Sequence, residues 1–527
     1  MSSIADHQRT NRPWRSLSEL ADAPEFRAFM EAEFPAKADP EGVSRRRWLQ
    51  LMGASLALAG TVGCRWEKEE ILPFAERPEG RVPGTPERYA TAMDLSGSAI
   101  GLLVTVYDGR PVKIEGNPNH PQSLGATDAL AQAAILHLYD PDRSRQVPQR
   151  DVTTRGTVAK WEQFDTFAKA HFDELRGRQG KGLAVLAEAD SSPTAARLRD
   201  QLLQALPEAA WYEYEPLSRD NERAGAVAAL GKPYRTHIHL DQAKVIVSFD
   251  ADLYGDHPTA LRNARQYSSG RDPAGEMNRL YVVESCYSII GAAADHRVPV
   301  RAGHVGRFVA AVEAALAGTS VDIDESWQRY VAAVVDDLKR HGQSSLVVAG
   351  PRQPAEVHAA MHRINAKLGS VGKTVTYTEE PDSERSSHFE AIKELAQRMA
   401  AGEIETVVVL GGNPVYDAPC DLGFAEAFAK VPTRIHLSLD DNKTSQASTW
   451  HLPRAHFLEA WGDARSHDGT YSIVQPMIEP LWDGRSKIEL LASLIGSESS
   501  AYDLVRETAR QLAGADDFET RWQVALH

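Results

Sequence analysis

The side chains best suited to chemistry gather late in the chain, where His451, His456 and His467 flank Glu459. Three imidazoles and a carboxylate form a donor set that can ligate a transition metal. His451 and His456 stand five apart around Pro453, so a shared helical face is not guaranteed; packing or hydrogen bonding beside Trp450 and Trp461 is the expected use. Asp250 and Asp252 close an apolar run and could hold a cation, although capping of the next element or plain surface use is the favoured reading. Asp295-His296-Arg297 and His304 are expected in polar loops without a catalytic role. Cys64, Cys286 and Cys420 lie far apart with no CxxC or Cys/His pattern, which argues against a disulfide framework and against a zinc or iron–sulfur site. Cys286 and Cys420, at or just after strand ends, are expected to be buried, inert thiols. Two breaker clusters complete the candidates, Gly116-Asn117-Pro118 and Gly411-Gly412-Asn413-Pro414. Each could present backbone amides and an Asn to a large polar ligand; the plain alternatives are an ordinary loop and a strand-to-helix turn.

These groups must be held by regular elements, and the pattern of apolar residues supplies them. Leu102 to Tyr107, the turn Asp108-Gly109 and a second strand through Val112 and Ile114 read as a β-hairpin. Ala129 to Leu138 is a helix, ended by Tyr139-Asp140-Pro141. A polar connection over Gln146 to Thr157 leads to an amphipathic helix over Trp161 to Leu175. From there strands alternate with helices. The strands are Gly182–Ala187, Trp211–Tyr214, Ala243–Phe249, Arg279–Val283, Ser345–Ala349, Thr374–Tyr377, Thr406–Leu410 and Thr433–Leu439. Such alternation implies parallel sheets covered by helices on both faces, with ligands bound beyond the carboxyl ends of the strands. Those ends are Asp250-Ala251-Asp252, Glu284-Ser285, Gly350-Pro351 and Gly411 to Pro414, and none carries a GxGxxG, P-loop or nucleophile-elbow pattern. At 527 residues the chain is long enough for several packed units, and 42% hydrophobic with 25% charged residues is ordinary for a globular protein. A net charge of −15 argues against nucleic acid as a partner.

The order of residues says more than composition. The run Gly109-Arg110-Pro111-Val112-Lys113-Ile114-Glu115-Gly116-Asn117-Pro118, then His120-Pro121, Gln132-Ala133 and Tyr139-Asp140-Pro141-Asp142-Arg143, resembles the amino-terminal domain of the molybdopterin oxidoreductases. That superfamily includes dimethyl-sulfoxide reductases, formate dehydrogenases and polysulfide reductases. Leu410-Gly411-Gly412-Asn413-Pro414 is similar to a loop that contacts one pterin guanine dinucleotide in active relatives. Leu452-Pro453, Glu459, Gly462 and Asp468-Gly469 resemble the later run that shapes the cofactor groove. The resemblance implies a bis-pterin site in which Gly411, Gly412, Asn413, Pro414, Asn117 and Pro118 would touch the cofactor if one is bound. It also shows what is missing. Active members hold a four-iron cluster on cysteines before the hairpin and just after the His-Pro segment. Here Tyr89 to Gly101 and Ser123 to Asp128 contain no cysteine, and such a cluster needs thiolates. Neither Cys286 nor Cys420 lies in a recognisable molybdenum-ligand context.

Within the superfamily, Trp14-Arg15-Ser16-Leu17, Glu25-Phe26, Met277 to Glu284 and the run Leu452 to Gly469 look like one subgroup, the large B subunit of alternative complex III. Ser44-Arg45-Arg46-Arg47-Trp48-Leu49 reads as a twin-arginine export signal around Arg45 and Arg46. The apolar run Leu51 to Val62 is too short to span a bilayer and suits a signal peptide. Cys64 stands where a lipoprotein signal would place its acylated cysteine. The expected organisation is a tail and signal over 1–64, a linker over 65–88, a small β-rich iron–sulfur-domain remnant over 89–150, and α/β domains of molybdopterin-oxidoreductase type over 151–527 in two Rossmann-like lobes, without the superfamily's C-terminal β-barrel domain. The resemblance implies a subunit without a cofactor of its own in a membrane-bound, quinol-oxidising electron-transfer complex on the periplasmic side of the inner membrane. Its implied partners are an iron–sulfur subunit or domain, multihaem cytochrome c subunits and a multi-spanning quinol-binding membrane subunit. The alternative is an active oxidoreductase with a bis-molybdopterin guanine dinucleotide centre.

Overall fold

The computed structural model describes residues 84–526, apart from 152, 153, 515 and 516, together with 24 and 82; for 149–151 and 154–158 it describes the backbone alone. The export arginines Arg45 and Arg46, the lipidation site Cys64 and most of the linker therefore lie outside the described residues.

Two tight turns create the first sheet. Ser96, Gly97, Asp108 and Gly109 have φ of 50°, 74°, 49° and 84°, the paired positive values of hairpin turns whose twist matches the flanking strands. They join β1 (Glu87–Leu95), β2 (Ser98–Tyr107) and β3 (Arg110–Gly116) into an antiparallel meander. The expected β2–β3 hairpin is present. β1 is additional and starts inside the expected linker, because it buries Ala92 and Met93. The helix Ala129–Leu138 follows, capped by the Asp128 carboxylate accepting from the Ala131 N–H.

The stretch expected as a polar connection is instead a hairpin of β4 (Val147–Asp151) and β5 (Thr154–Ala159). It lies at the edge of a large sheet, where a strand needs no continuous apolar run, so composition hid it. The chain then runs through β6 (Leu183–Ala187), β7 (Ala210–Glu213), β8 (Tyr234–Ile238), β9 (Val245–Phe249), β10 (Arg279–Glu284), β11 (His296–Pro299) and β12 (Ser345–Ala349). After these come β13 (Val375–Glu379), β14 (Thr406–Leu410), β15 (Thr433–Ser438), β16 (Trp450–Pro453), β17 (Gly462–Arg465) and β18 (Tyr471–Val474).

Two largely parallel arrays result. The larger has the order β5-β4-β16-β15-β14-β6-β7, parallel from β16 to β7. The smaller has the order β11-β10-β9-β12 and is parallel throughout. Every residue of β6, β9 and β14 is buried, as strands covered on both faces must be. Val185 and Leu410 face a core shared with Phe164, Leu198, Leu491 and Val505. Leu186 and Val409 face the other side, toward Ile392, Leu395 and Phe428. The smaller sheet packs Val247 and Val347 on Phe308, Val334 and Ile364, and Ile246 and Leu346 on Leu240 and Tyr267.

Two expectations about strands need correction. Thr374 to Tyr377 was expected to join a parallel sheet, but β13 pairs antiparallel with β8 alone, outside both arrays. His296 and Arg297 are in β11 rather than a polar loop. There His296 stacks on Tyr281 at 4.9 Å between ring centres, and Arg297 pairs with Glu284. An edge strand of four residues carries too little alternation to be read from sequence. Among the described residues no helix is long and apolar enough to cross a membrane.

Candidate functional site

In an open α/β sheet the crevice for ligands forms where neighbouring strands send their connections to opposite sides. The larger sheet has that point between β6 and β14: the chain leaves β6 for β7 on one side, and leaves β14 for β15 and β16 on the other. Gly411 and Gly412 end β14 with φ of 92° and 70°, values that glycine adopts without penalty. Asn413 is fixed by the chain itself, its Oδ1 accepting from the Thr444 N–H at 3.1 Å and the Thr444 hydroxyl at 3.0 Å. Pro414 opens a short helical turn, Pro414–Asp417.

The amide facing the crevice already has a partner. Glu188, the residue after β6, accepts from the Gly412 N–H at 2.8 Å, and its other oxygen accepts from Arg454 Nη1 at 2.8 Å. A Cβ on Gly411 would lie 2.3 Å from the Glu188 Cδ, so the carboxyl group rests directly on the Gly411 backbone. Burial acts to raise the Glu188 pKa, but the Arg454 guanidinium, the Lys487 ammonium and the Gly412 N–H together hold it below its ordinary value. A phosphate does not fit at this amide while Glu188 holds it.

The smaller sheet repeats the arrangement. Its crossing point lies between β9 and β12, and Asp250 follows β9. Asp250 Oδ1 accepts from the Ser285 N–H and hydroxyl, each at 3.1 Å, and Oδ2 accepts from Gln353 Nε2 at 3.1 Å. A Cβ on Gly350 would meet the Asp250 carbonyl oxygen at 1.8 Å, so the two strand ends touch. Asp252 caps the helical turn Ile289–Ala292, its Oδ2 and Oδ1 accepting from the Ile289 and Ile290 N–H groups at 3.3 Å. Asp252 thus caps a helical turn, whereas Asp250 ties together the loops after the neighbouring strands. The adjoining cavity, lined in part by Arg219, Asp252, His257, His358 and His362, is ≈ 60 Å³, room for a few waters.

The histidines near the C-terminus do not converge. His451 hydrogen-bonds Ser144 and lies 6.3 Å from the His436 ring; His456 lies 5.9 Å from His137; His467 lies 5.2 Å from His237 and donates to the Thr236 carbonyl. Glu459 instead takes Arg143 in a buried two-pronged pair, Nη1 to Oε1 at 3.0 Å and Nη2 to Oε2 at 2.6 Å. Among the described residues no group of three His, Cys, Asp or Glu side chains is placed to hold a metal. Cys286 and Cys420 are exposed, contrary to the burial expected of them. Cys286 falls in the loop past β10, and Cys420 opens the short turn Cys420–Leu422, both where the chain faces solvent.

In the first sheet, the stretch Tyr89 to Gly101 that would carry cluster ligands is β1, its turn and the start of β2. The imidazole of His120 fills the space beyond it. A Cβ on Gly101 would meet the His120 ring at 2.2 Å, and His120 Nδ1 accepts from the Gly101 N–H at 3.2 Å while Nε2 reaches Ser472. Gly101→Ala is therefore expected to destabilise the protein by about 1–3 kcal/mol, the range of overpacked cores, read as a lower urea midpoint; an unchanged midpoint contradicts this packing. Asn117 caps its own loop, its Oδ1 accepting from the Asn119 N–H at 2.9 Å, with Pro118 exposed beside it. No hydrogen bond among the described residues joins the Asn117-Pro118 loop to Gly411–Pro414. Glu188, which does meet Gly412, and Arg454, which pairs with Glu188, were not among the candidates. Their signal in the sequence is slight: an acid directly after an apolar run, and a base directly after Leu452-Pro453.

No family model matches the chain. It is 21% identical over 506 residues to the menaquinone reductase, molybdopterin-binding-like subunit of Nitratidesulfovibrio vulgaris, a match covering 86% of this chain and 72% of that protein. It is 25% identical over 271 residues to a sulfite dehydrogenase subunit of Allochromatium vinosum, covering 49% of this chain and 27% of that one. In structure it is similar to acetylene hydratase from Pelobacter acetylenicus, with a TM-score of 0.59 and 10% identity over 78% of this chain and 70% of that one. The chain has the mixed α/β fold of the molybdopterin oxidoreductases, as the resemblance in sequence implied.

Proposed function

We propose that this chain is a molybdopterin-oxidoreductase-like subunit of a membrane-bound, quinol-oxidising respiratory complex of the alternative complex III type, and that it works there without a pterin of its own. It serves as a scaffold for an iron–sulfur subunit or domain, beside multihaem cytochrome c subunits and a multi-spanning quinol-binding subunit. The observation that carries this reading is the Glu188 carboxylate on the Gly412 amide, at the loop where the fold's relatives are expected to touch the dinucleotide. The absence of cysteine from Tyr89 to Gly101 and Ser123 to Asp128 supports it. So does the similarity to a subunit of a menaquinone reductase that is itself called molybdopterin-binding-like. Twin-arginine export through Arg45 and Arg46 and a lipid on Cys64 would place the subunit on the periplasmic side of the inner membrane.

The test is the molybdenum, iron and released pterin per chain in protein purified from membranes with its native partners. Iron without molybdenum or pterin is the expected result. Stoichiometric molybdenum and pterin would overturn it in favour of an active oxidoreductase, the reading that the similarity to a sulfite dehydrogenase favours.

A further inference from the structure

We infer that Glu188 is a built-in substitute for an anionic ligand at the crossing point of the larger sheet, so that the chain's own carboxylate closes the crevice between β6 and β14. This rests on the reading that the chain carries no pterin, and it adds a named residue and a mechanism of closure.

The argument begins with what the crevice offers. Gly412 presents a backbone N–H, and Arg454 presents a guanidinium across from it, 2.8 Å from the opposite oxygen of the same carboxylate. Lys487, itself paired with Asp190 at 2.5 Å, adds a longer-range positive charge that acts on Glu188. A backbone amide facing an arginine is a donor pair that phosphate groups also take. The positive φ of Gly411 and Gly412 leaves the loop without side chains, so a ligand can lie against the backbone. Glu188 uses that closeness: its carboxyl occupies the volume that any Cβ at Gly411 would need. A tethered carboxylate competes with a free anion at a high effective concentration, since no translational freedom is lost when it binds.

Asp250 shows that the device is not confined to one sheet. It too is the first residue past the strand before the crossing point, and it too accepts hydrogen bonds from the loops after the neighbouring strands, at Ser285 and Gln353. Of the two, only Glu188 is paired with a cation that its removal would free for another anion.

The test uses the full chain and two probes, inorganic pyrophosphate and guanosine diphosphate, titrated calorimetrically. Wild-type protein is first assayed for released pterin; finding it would sink the cofactor-free reading itself. In pterin-free protein, Glu188→Ala is expected to bind pyrophosphate at least about tenfold more tightly than wild type, and Arg454→Gln in the same background is expected to remove the gain. Should Glu188→Ala fail to fold, Glu188→Gln keeps the side-chain volume and the Gly412 hydrogen bond but releases Arg454, and a gain of several fold is expected. A folded variant with wild-type affinity, or a wild type that binds pyrophosphate as tightly as the variant, overturns the inference while leaving the cofactor-free reading in place.

Discussion

Glu459→Ala is expected to lower the stability of the protein by about 3–5 kcal/mol, the range for breaking a buried ion pair from one side. The side chains of Arg143 and Glu459 are 2% and 0% exposed. Removing the carboxylate leaves a guanidinium in the interior with one remaining acceptor, the Leu138 carbonyl at 2.8 Å. It also strips partners from the His456 and Leu481 N–H groups, which donate to Glu459 at 2.7 and 3.0 Å. Four hydrogen bonds end on this one carboxylate, which ties the end of the helix Ala129–Leu138 to the run after β16. The loss should therefore be local as well as global. Hydrogen exchange of Ala129–Leu138 should accelerate at denaturant concentrations where β6 and β14 remain protected. Replacing both partners, Arg143→Met with Glu459→Leu, should recover part of the loss, because no unpaired charge then stays buried. Full recovery is not expected, as the two backbone donors remain without an acceptor. A Glu459→Ala protein within about 0.5 kcal/mol of wild type would show that the pair contributes nothing.

The same pair marks how far the sequence could be read. Glu459 was legible as part of a resemblance and as a possible metal ligand beside three histidines. Its partner lies 316 residues away, beyond the reach of any local pattern. Glu188 and Arg454 are 266 residues apart, and the same limit applies to them. What local patterning does fix came through. The runs Leu183–Ala187, Val245–Phe249 and Thr406–Leu410 are apolar at nearly every position, and each is a buried parallel strand. The helix Trp161–Gly177 buries Trp161, Phe164, Ala168, Phe172 and Leu175, the spacing visible in its sequence. Glu325–His341 carries an equally clear period in Val331, Val334, Val335 and Leu338, although it lies outside the elements expected from sequence. The elements that composition hides are short or marginal: β11, β8 and the β4–β5 hairpin owe their existence to neighbours in the sheet rather than to their own residues.

The exposed cysteines fail for a different reason. Burial of a free thiol is a tendency of residue type, whereas exposure follows from position. Cys286 lies beside Tyr287 and Ile289, which are 72% and 59% exposed, so the whole loop after β10 points outward and carries its thiol with it. The pterin-type loop shows the same limit from the other side. Its four residues, Gly411 to Pro414, follow a buried strand end as its apolar run implied, yet nothing in them reveals that Glu188 covers their amide.

Acidification is expected to have the second large effect, because the interior holds many neutral imidazoles. Burial, reinforced by nearby positive charge, lowers His436, His456 and His467 to about 3. Burial likewise brings His237 and His362 to about 4. In the unfolded chain each titrates near 6.5. Above pH 6.5 both states are neutral and nothing changes; below it the unfolded chain gains protons that the folded chain refuses, so stability falls as the pH drops toward the folded values. Buried carboxyl groups oppose this, Glu213, Glu215 and Asp94 most strongly and Asp256, Asp417 and Asp463 in the same direction. Burial raises Glu213 and Glu215 to about 7 and Asp94 to about 6, so the folded chain is the better proton acceptor from their unfolded values, near 4, up to those limits. Their contribution is lost as the pH rises through 7. Among these most strongly shifted groups alone, five imidazoles against three carboxyls leave the unfolded chain with an excess of about two protons between pH 4.5 and 6, a slope of about 3 kcal/mol per pH unit. The burial that lowers His120, His171, His239, His257, His358 and His388 acts in the same direction. Stability should therefore rise to a maximum near pH 7, stay nearly level toward pH 8 and fall steeply below pH 6. Urea midpoints at pH 8, 6.5 and 5 test the shape. His456→Gln with His467→Gln tests the cause: two of the imidazoles that titrate only in the unfolded chain are gone, so the acid slope should fall by about 2–3 kcal/mol per pH unit even if the variant is less stable at every pH. Equal midpoints for wild type at pH 6.5 and 5 would mean that these rings are reached by water and protonate in place, which their burial against Arg143 and Arg235 argues against.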